Sequence, residues 1–357
     1  MTSPTSAPPA PVNTGDIPRA SGGWMIEMAR LAGGQLLLVR KRLMTKVLVV
    51  LLALGFAIVV GFGVLEYALF ENQAIFSGAN ACPTVVADQT ATPQPGGPPR
   101  CVTPSPQEQQ QVEEARQRVI AAERTNLTFP TSLGSAGGYA QFMGLILLAI
   151  LAGALVGGEY AYGTQRLAFA RGAGRGQVLA AQTGALAVLA LVTAALTLLL
   201  GVLSGVTVGP AVGGTVSGLT AAGVGEVLLY WLVISLVLFA GMLIALFTAT
   251  LGRSTAAGIG GALGYQLLQL IGAGLLGALG GSIPGDTGTW LTRSQFLFIG
   301  PSASLVLGRV AHAPLALVGD DGTGPVAPGV AFAVLVGYCV LMVGLSYLLV
   351  RQRDVTT

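Results

Sequence analysis

The sequence predicts an all-α, polytopic membrane protein with six transmembrane helices. Of its 357 residues, 53% are hydrophobic and only 9% are charged. The mean hydropathy of +0.73 is too high for a soluble domain of this length. Six apolar runs have about the 18 residues that a helix needs to cross a bilayer. Helices are expected there because each unpaired backbone amide costs several kcal/mol in lipid, and a helix pairs its own.

Two segments precede the first apolar run. Residues 1–22 are rich in Pro, Ser and Thr, so we expect a disordered cytoplasmic tail. Residues 23–45 place apolar side chains at helical spacing, namely Trp24, Met28, Leu31 and Leu38. Because this segment ends in a basic cluster, we expect an interfacial amphipathic helix. A simple basic anchor before the first span is the alternative.

Residues 46–357 form the predicted transmembrane domain, and its six apolar runs are numbered here as spans 1 to 6. The runs cover about 47–65, 139–158, 178–206, 227–251, 254–283 and 326–350. Apart from tyrosines and Cys339, they contain no ionisable side chain. This pattern is typical of spanning helices, because a charge at the bilayer centre costs about 2.5 to 3.5 kcal/mol on insertion scales.

An extracellular insertion, residues 71–138, separates spans 1 and 2. Cys82 and Cys101 flank a Pro/Gly stretch within it, and an oxidising exterior would allow them to form a disulfide. Closing that loop would stabilise it by roughly 3 kcal/mol. A helix is predicted over residues 107–125, with one apolar face formed by Val112, Ala115, Val119 and Ala122.

The basic residues predict the orientation. With the amino terminus in the cytoplasm, twelve of the 18 Lys and Arg residues fall inside and six fall outside. Four of those six lie in the long insertion, which counts little in the positive-inside rule. Both termini are therefore predicted to be cytoplasmic, in the plasma (inner) membrane. The net charge of +3 reflects this asymmetry and does not indicate a nucleic-acid partner.

The connection between spans 5 and 6, residues 281–325, is unusually long. Its apolar pieces are too short to span and are interrupted by Gly300 and Pro301, so re-entrant or surface helices are expected. Within span 5, Gln266 and Gln269 are three residues apart and share a face. They either line a substrate path or form an interhelical hydrogen bond.

Three small-residue motifs in the spans allow close helix approach. They are Gly153-x-x-x-Gly157, Gly260-x-x-x-Gly264 and Gly277-x-x-x-Gly281. Each is a weak signal, since the chain contains 52 glycines.

No catalytic or metal-binding constellation is expected. The only histidine, His312, falls in the outer connection, and neither Lys41 nor Lys46 follows a phosphate-binding glycine loop. The spans also lack the acidic groups that proton- or sodium-coupled transporters use. An intramembrane hydrolase is nearly excluded, and any energy is expected to come from another protein.

A polar block, residues 159–182, lies between spans 2 and 3 and carries the strongest functional signal. It reads E-Y-A-Y-G-T-Q-R-L-A-F-A-R-G-A-G-R-G-Q-V-L-A-A-Q. Gly163 permits a tight turn and Thr164 can cap a following helix. Three arginines offer rigid donors to a partner, namely Arg166, Arg171 and Arg175. A loop that only fixes topology is the alternative.

The six-span layout and the E-x-x-x-G-T-x-R motif resemble the membrane subunit of ABC-2 type transporters. Glu159, Gly163, Thr164, Arg166, Arg171 and Arg175 stand at positions that match the family pattern. One departure is Gln182, where the family often has a lysine entering span 3.

The resemblance implies a permease that exports an amphiphilic, drug-like or lipid-linked substrate and has no catalytic residue of its own. ATP and Mg²⁺ would be bound by a separate ABC ATPase subunit, docked on a cytoplasmic coupling helix between spans 2 and 3. A second permease chain would complete a homo- or heterodimer. The alternative is a non-transporting scaffold or sensor with a ligand-binding extracellular loop.

Overall fold

The computed structural model describes residues 33–34, 43–76, 106–170, 172, 174–214, 221–312 and 326–352. Nearly all of these residues are helical, and no strand occurs among them. The all-α prediction is therefore confirmed. The tail, most of the 23–45 segment, Cys82, Cys101 and Arg171 lie outside the described residues.

Six helical segments in this part of the chain are long and apolar enough to cross a membrane, as predicted. Span 1 is α1 (Leu43–Phe76), span 3 is α6 (Arg175–Ala211) and span 4 is α7 (Ala221–Gly252). Span 5 is α8 (Thr255–Ser282) and span 6 is α11 (Pro328–Gln352). Span 2 consists of α3 (Ser132–Tyr139), a π-helical turn (Ala140–Gly144) and α4 (Leu145–Ala161).

Four shorter helices lie between the spans. They are α2 (Pro106–Leu127), α5 (Thr164–Ala170), α9 (Asp286–Ser294) and α10 (Ile299–His312). The pair α9 and α10 corresponds to the short helices predicted between spans 5 and 6. Consecutive spans run in opposite directions, so α2, α9 and α10 lie at the end of the bundle opposite α5.

Spans 2 and 4 form the centre of the bundle. In each of them 61% of the most apolar window is buried, against 17% in span 1, 6% in span 5 and 11% in span 6. Leu238, Met242 and Leu246 of span 4 are completely buried. Spans 1, 5 and 6 therefore expose most of their apolar surface, and only apolar surroundings suit such a surface, either lipid or another membrane chain.

Spans 4 and 5 are joined by a very short connection. Arg253 adopts a left-handed conformation with φ of 49°, and the Ser254 hydroxyl accepts a hydrogen bond of 3.1 Å from the Ala257 amide. This N-cap satisfies one of the amides that the first turn of a helix leaves unpaired. The chain therefore reverses direction within two residues and places span 5 beside its neighbours.

One of the three glycine motifs forms a close helix contact within the chain. A β-carbon added at Gly153 would lie 2.7 Å from the Ile259 nitrogen, and one at Gly157 would lie 2.4 Å from Thr255 Cα. Both contacts are made with the backbone of span 5. Around Gly260, Gly264 and Gly281, by contrast, a β-carbon would meet nothing within 4 Å.

Helix α2 forms where the sequence predicts it but packs through a different face. Val119, placed on the apolar face, is 42% exposed, whereas Ile120 and Leu127 pack with Tyr67 and Val212. The prediction for this face was wrong because the contact surface is set by the ends of spans 1 and 3, which periodicity within α2 does not reveal.

Candidate functional site

The elbow is defined here as residues 159–174, from the last turn of span 2 to the residue before span 3, and the structure describes all of it except residues 171 and 173. Span 2 ends at Ala161, and Gly163 has a φ of 66°, a left-handed conformation that a β-carbon would strain. Helix α5 begins at the next residue, Thr164. The tight turn expected at Gly163 is therefore present, and a short helix is set at the end of span 2.

Thr164 acts differently from the helix cap that the sequence suggests. Its hydroxyl donates a hydrogen bond of 3.2 Å to the carbonyl oxygen of Glu159. The carbonyls in the last turn of a helix lack partners within that helix, so this bond stabilises the end of span 2.

The elbow is fastened to span 3 by a partly buried polar contact. The Gln182 amide, which is 2% exposed, donates a hydrogen bond of 2.5 Å to the Glu159 carboxylate. A bond from a neutral donor to a charged acceptor is stronger than one between neutral groups. Gln182, which departs from the family pattern, thus pairs with Glu159, which matches that pattern.

Arg175, the first residue of span 3, connects that span to the last one. Its guanidinium donates hydrogen bonds of 3.4 and 3.2 Å to the carbonyl oxygens of Val350 and Arg351. A cation at this position also complements the negative end of the helix dipole of span 6. The start of span 3 and the end of span 6 are therefore linked at the elbow.

Two exposed side chains on the elbow were not identified from the sequence. Tyr162 is 81% exposed and Leu167 is 54% exposed. The sequence could have indicated them, because an aromatic and an aliphatic residue are unusual in a segment that is too polar to lie within the hydrocarbon of a membrane. The side chain of Arg166 lies outside the described part of the structure, although its backbone is in α5.

A second feature is a cavity of about 740 Å³ between span 2, span 5 and the start of α10. Its apolar wall includes Phe142, Leu267 and Leu270, which are 59%, 60% and 61% exposed. The cavity is open, and Gln266 and Gln269 both line it. Their role in a substrate path stays a prediction.

Hydrogen bonds join the glutamines of the cavity to α10. Gln269 donates to the Gln266 side-chain oxygen, and its own oxygen accepts a bond of 3.1 Å from the Gly300 amide. Gln141 donates bonds of 2.6 Å to the Gly300 carbonyl and 2.9 Å to the Ser304 hydroxyl. Polar groups of spans 2 and 5 thus hold the first turn of α10 from both sides.

Gln141 was not identified from the sequence. It lies in the π-helical turn of span 2, a feature that often occurs at functional sites because it changes the direction of nearby side chains. A π-helical turn has no reliable sequence signal. The one signal available for Gln141 was that it is a polar residue within an apolar run.

Among the residues that the structure describes, no three His, Cys, Asp or Glu side chains come together in a group suited to a metal ion.

Comparison with known families gives one match. A family model described as ABC-2 family transporter protein matches residues 39–355, which is most of the chain and includes all six spans. No curated protein matches the chain.

Proposed function

From the premise that this chain belongs to the ABC-2 family of transporter proteins, we propose that it is the transmembrane permease subunit of an ATP-driven exporter. As a family member it is a multi-pass membrane transport component with six spanning helices. ATP and Mg²⁺ are bound and ATP is hydrolysed in a separate ABC ATPase subunit. This chain supplies the path for an amphiphilic, drug-like or lipid-linked cargo.

The observation that carries the proposal is the set of contacts made by the elbow and by Arg175, the residue that follows it. Glu159 joins it to Gln182 of span 3, and Arg175 joins span 3 to the end of span 6. A force applied to α5 by a partner therefore acts on spans 2, 3 and 6 together. A loop that only fixes topology has no need for these contacts.

Tyr162 and Leu167 are the proposed docking residues, with Arg166 and Arg171 supplying charge. Tyrosine is enriched among the residues that dominate binding energy at protein interfaces. An exposed tyrosine and leucine outside the hydrocarbon bury apolar area only when a partner covers them. The elbow is proposed to face the cytosol, with both termini on the same side.

A second permease chain is proposed to pair with this one through span 5. Its exposed apolar residues include Leu268, Ile271 and Leu275, which are 59%, 67% and 56% exposed. Gly260 and Gly264 in the same span have open space beside them, which allows a second helix to approach closely.

The test is retention of the ATPase during purification. The permease is co-expressed with an ABC ATPase from the same genome. The amount of ATPase recovered with the wild type is compared with that recovered with Tyr162→Ala and Leu167→Ala. Trp290→Ala is the matched control, because Trp290 is 66% exposed at the opposite end of the bundle.

We expect each elbow variant to weaken binding about tenfold, which corresponds to a loss of about 1.4 kcal/mol, and the control to bind like the wild type. Full retention of the ATPase by both elbow variants would contradict docking at the elbow and would favour a scaffold.

A further inference from the structure

The cavity between spans 2 and 5 combines amide groups with hydrocarbon and has no charge in its described lining. Its polar lining is formed by Gln141, Gln266, Gln269, Gln295 and Ser304. The remaining residues around it are apolar or are glycine and proline, and none of the residues that line it is ionisable. This composition restricts the ligands that the cavity can accept.

A charged headgroup would be poorly accommodated in this cavity. A buried ion needs an opposite charge or several hydrogen bonds to replace the water that it loses. Amides provide hydrogen bonds but no opposite charge. A headgroup that bears a full charge would therefore lose more hydration free energy than the walls return.

An uncharged headgroup with hydroxyl or amide groups fits the same walls. Each glutamine presents both a donor and an acceptor. Gln141 and Gln269 are engaged with α10, but the described part of the chain offers no acceptor to the Gln266 side-chain nitrogen and no side-chain partner to Gln295. These two amides are available to a ligand.

The apolar wall provides for a tail. Phe142, Leu267 and Leu270 continue the cavity toward the exposed surface of spans 2 and 5. A hydrocarbon chain could extend along this wall into lipid without being withdrawn from an apolar environment.

We propose that this cavity selects uncharged amphiphiles, with a hydroxyl- or amide-bearing headgroup at the glutamines and a hydrocarbon tail along Phe142 and Leu267. This proposal rests on the proposed export function, because the selection of uncharged amphiphiles specifies the class of cargo that is exported. The selection is a property of this chain and does not require the ATPase.

The experiment measures photolabelling of the full-length chain, purified without an ATPase, in phosphatidylcholine nanodiscs. Three probes carry the same diazirine-bearing tail and differ only in headgroup. They are a monoacylglycerol, the corresponding anionic lysophosphatidic acid and a cationic alkyltrimethylammonium. Labelled peptides of spans 2 and 5 are quantified by mass spectrometry.

We expect the monoacylglycerol to label these peptides about tenfold more than either charged probe. Gln266→Leu and Gln295→Leu should each lower that labelling about fivefold to tenfold, the effect of losing one hydrogen bond between the headgroup and a glutamine side chain. Gln110→Leu on helix α2, where Gln110 is exposed, is the control and should label like the wild type. Both test variants replace an amide with an apolar group of similar size in an apolar setting, and unchanged elution on gel filtration verifies that they fold.

Equal labelling by all three probes would overturn the selection, and so would labelling by the monoacylglycerol that neither variant reduces. Either result leaves docking of the ATPase on the elbow untouched, because that is measured with a different variant set. Loss of ATPase retention in the elbow variants together with unselective labelling would mean that the chain is an exporter of some other cargo.

Discussion

Replacement of Gly157 by alanine tests the packing of span 2 against span 5. The added β-carbon would lie 2.4 Å from Thr255 Cα and 2.6 Å from the Thr255 nitrogen. Ordinary van der Waals contact begins near 3.4 Å, so the two helices would have to separate by about 1 Å. The opposing atoms belong to the backbone and no side-chain rotation relieves the contact. Overpacking of this kind costs about 1 to 3 kcal/mol.

Thermal unfolding in detergent, followed by the fraction that stays monodisperse on gel filtration, measures this cost. For Gly157→Ala we expect the unfolding midpoint to fall by roughly 2 to 10 °C. Gly184→Ala is the matched control, since a β-carbon at Gly184 of span 3 would meet nothing within 4 Å. Alanine favours a helix by up to about 1 kcal/mol over glycine, so the control should be unchanged or slightly more stable.

Equal midpoints for the two variants would refute the reasoning. Such a result would mean that spans 2 and 5 are not in backbone contact at Gly157. The cavity between the same spans would then lack the fixed geometry that the proposed selection of cargo requires.

Three further predictions concern the elbow and the segment between spans 1 and 2. Gln182→Leu should lower the unfolding midpoint and the ATPase rate stimulated by the permease, because losing the partly buried hydrogen bond to the Glu159 carboxylate costs about 1.5 to 3 kcal/mol. An unchanged midpoint would show that the pair is not formed. Tyr67→Phe should lower the free energy of unfolding by about 1 kcal/mol, because the Tyr67 hydroxyl accepts a hydrogen bond from Arg124 of α2 and donates one to the Val212 carbonyl at the end of span 3. Protease cleavage within α2 should be faster in this variant, and equal cleavage would count against this anchor. With the predicted disulfide between Cys82 and Cys101, the wild type should migrate differently on reducing and non-reducing gels, and Cys82→Ser should abolish that difference. Equal mobility of the wild type on both gels would exclude the disulfide.

The sequence was sufficient for the number and order of the spans, because the length of hydrocarbon to be crossed dictates the length of each apolar run. It was less informative about where the helices end. Span 1 continues to Phe76, well past its apolar run. Hydropathy reports the depth of the hydrocarbon, whereas a helix can continue into water as long as its backbone remains paired.

The residues that make up the cavity could be predicted only in part. Gln266 and Gln269 were identified because polar side chains are expensive in a span and share a helical face. Gln141 and Gln295 come from other elements, and nothing in the local sequence indicates that span 2 and the 3₁₀ turn Gln295–Leu297 meet span 5. Convergence of distant segments is a property of tertiary packing.

The same limit applied to the glycine motifs. Three motifs with equal spacing looked alike in the sequence, yet only Gly153 and Gly157 have another helix against both of their glycines. The difference arises because the short connection at Arg253 and Ser254 brings span 5 against this particular face of span 2.

The central claim is that the elbow after span 2 faces the cytosol, where an ATPase can reach it. In a variant without native cysteines, a cysteine is introduced at Tyr162, which is 81% exposed, and intact cells are treated with a membrane-impermeant thiol reagent. A cysteine at Gln110 on helix α2, at the other end of the bundle, serves as the opposite-side control. The account predicts that Gln110→Cys is labelled in intact cells and Tyr162→Cys only after permeabilisation. Labelling of Tyr162→Cys in intact cells would contradict it.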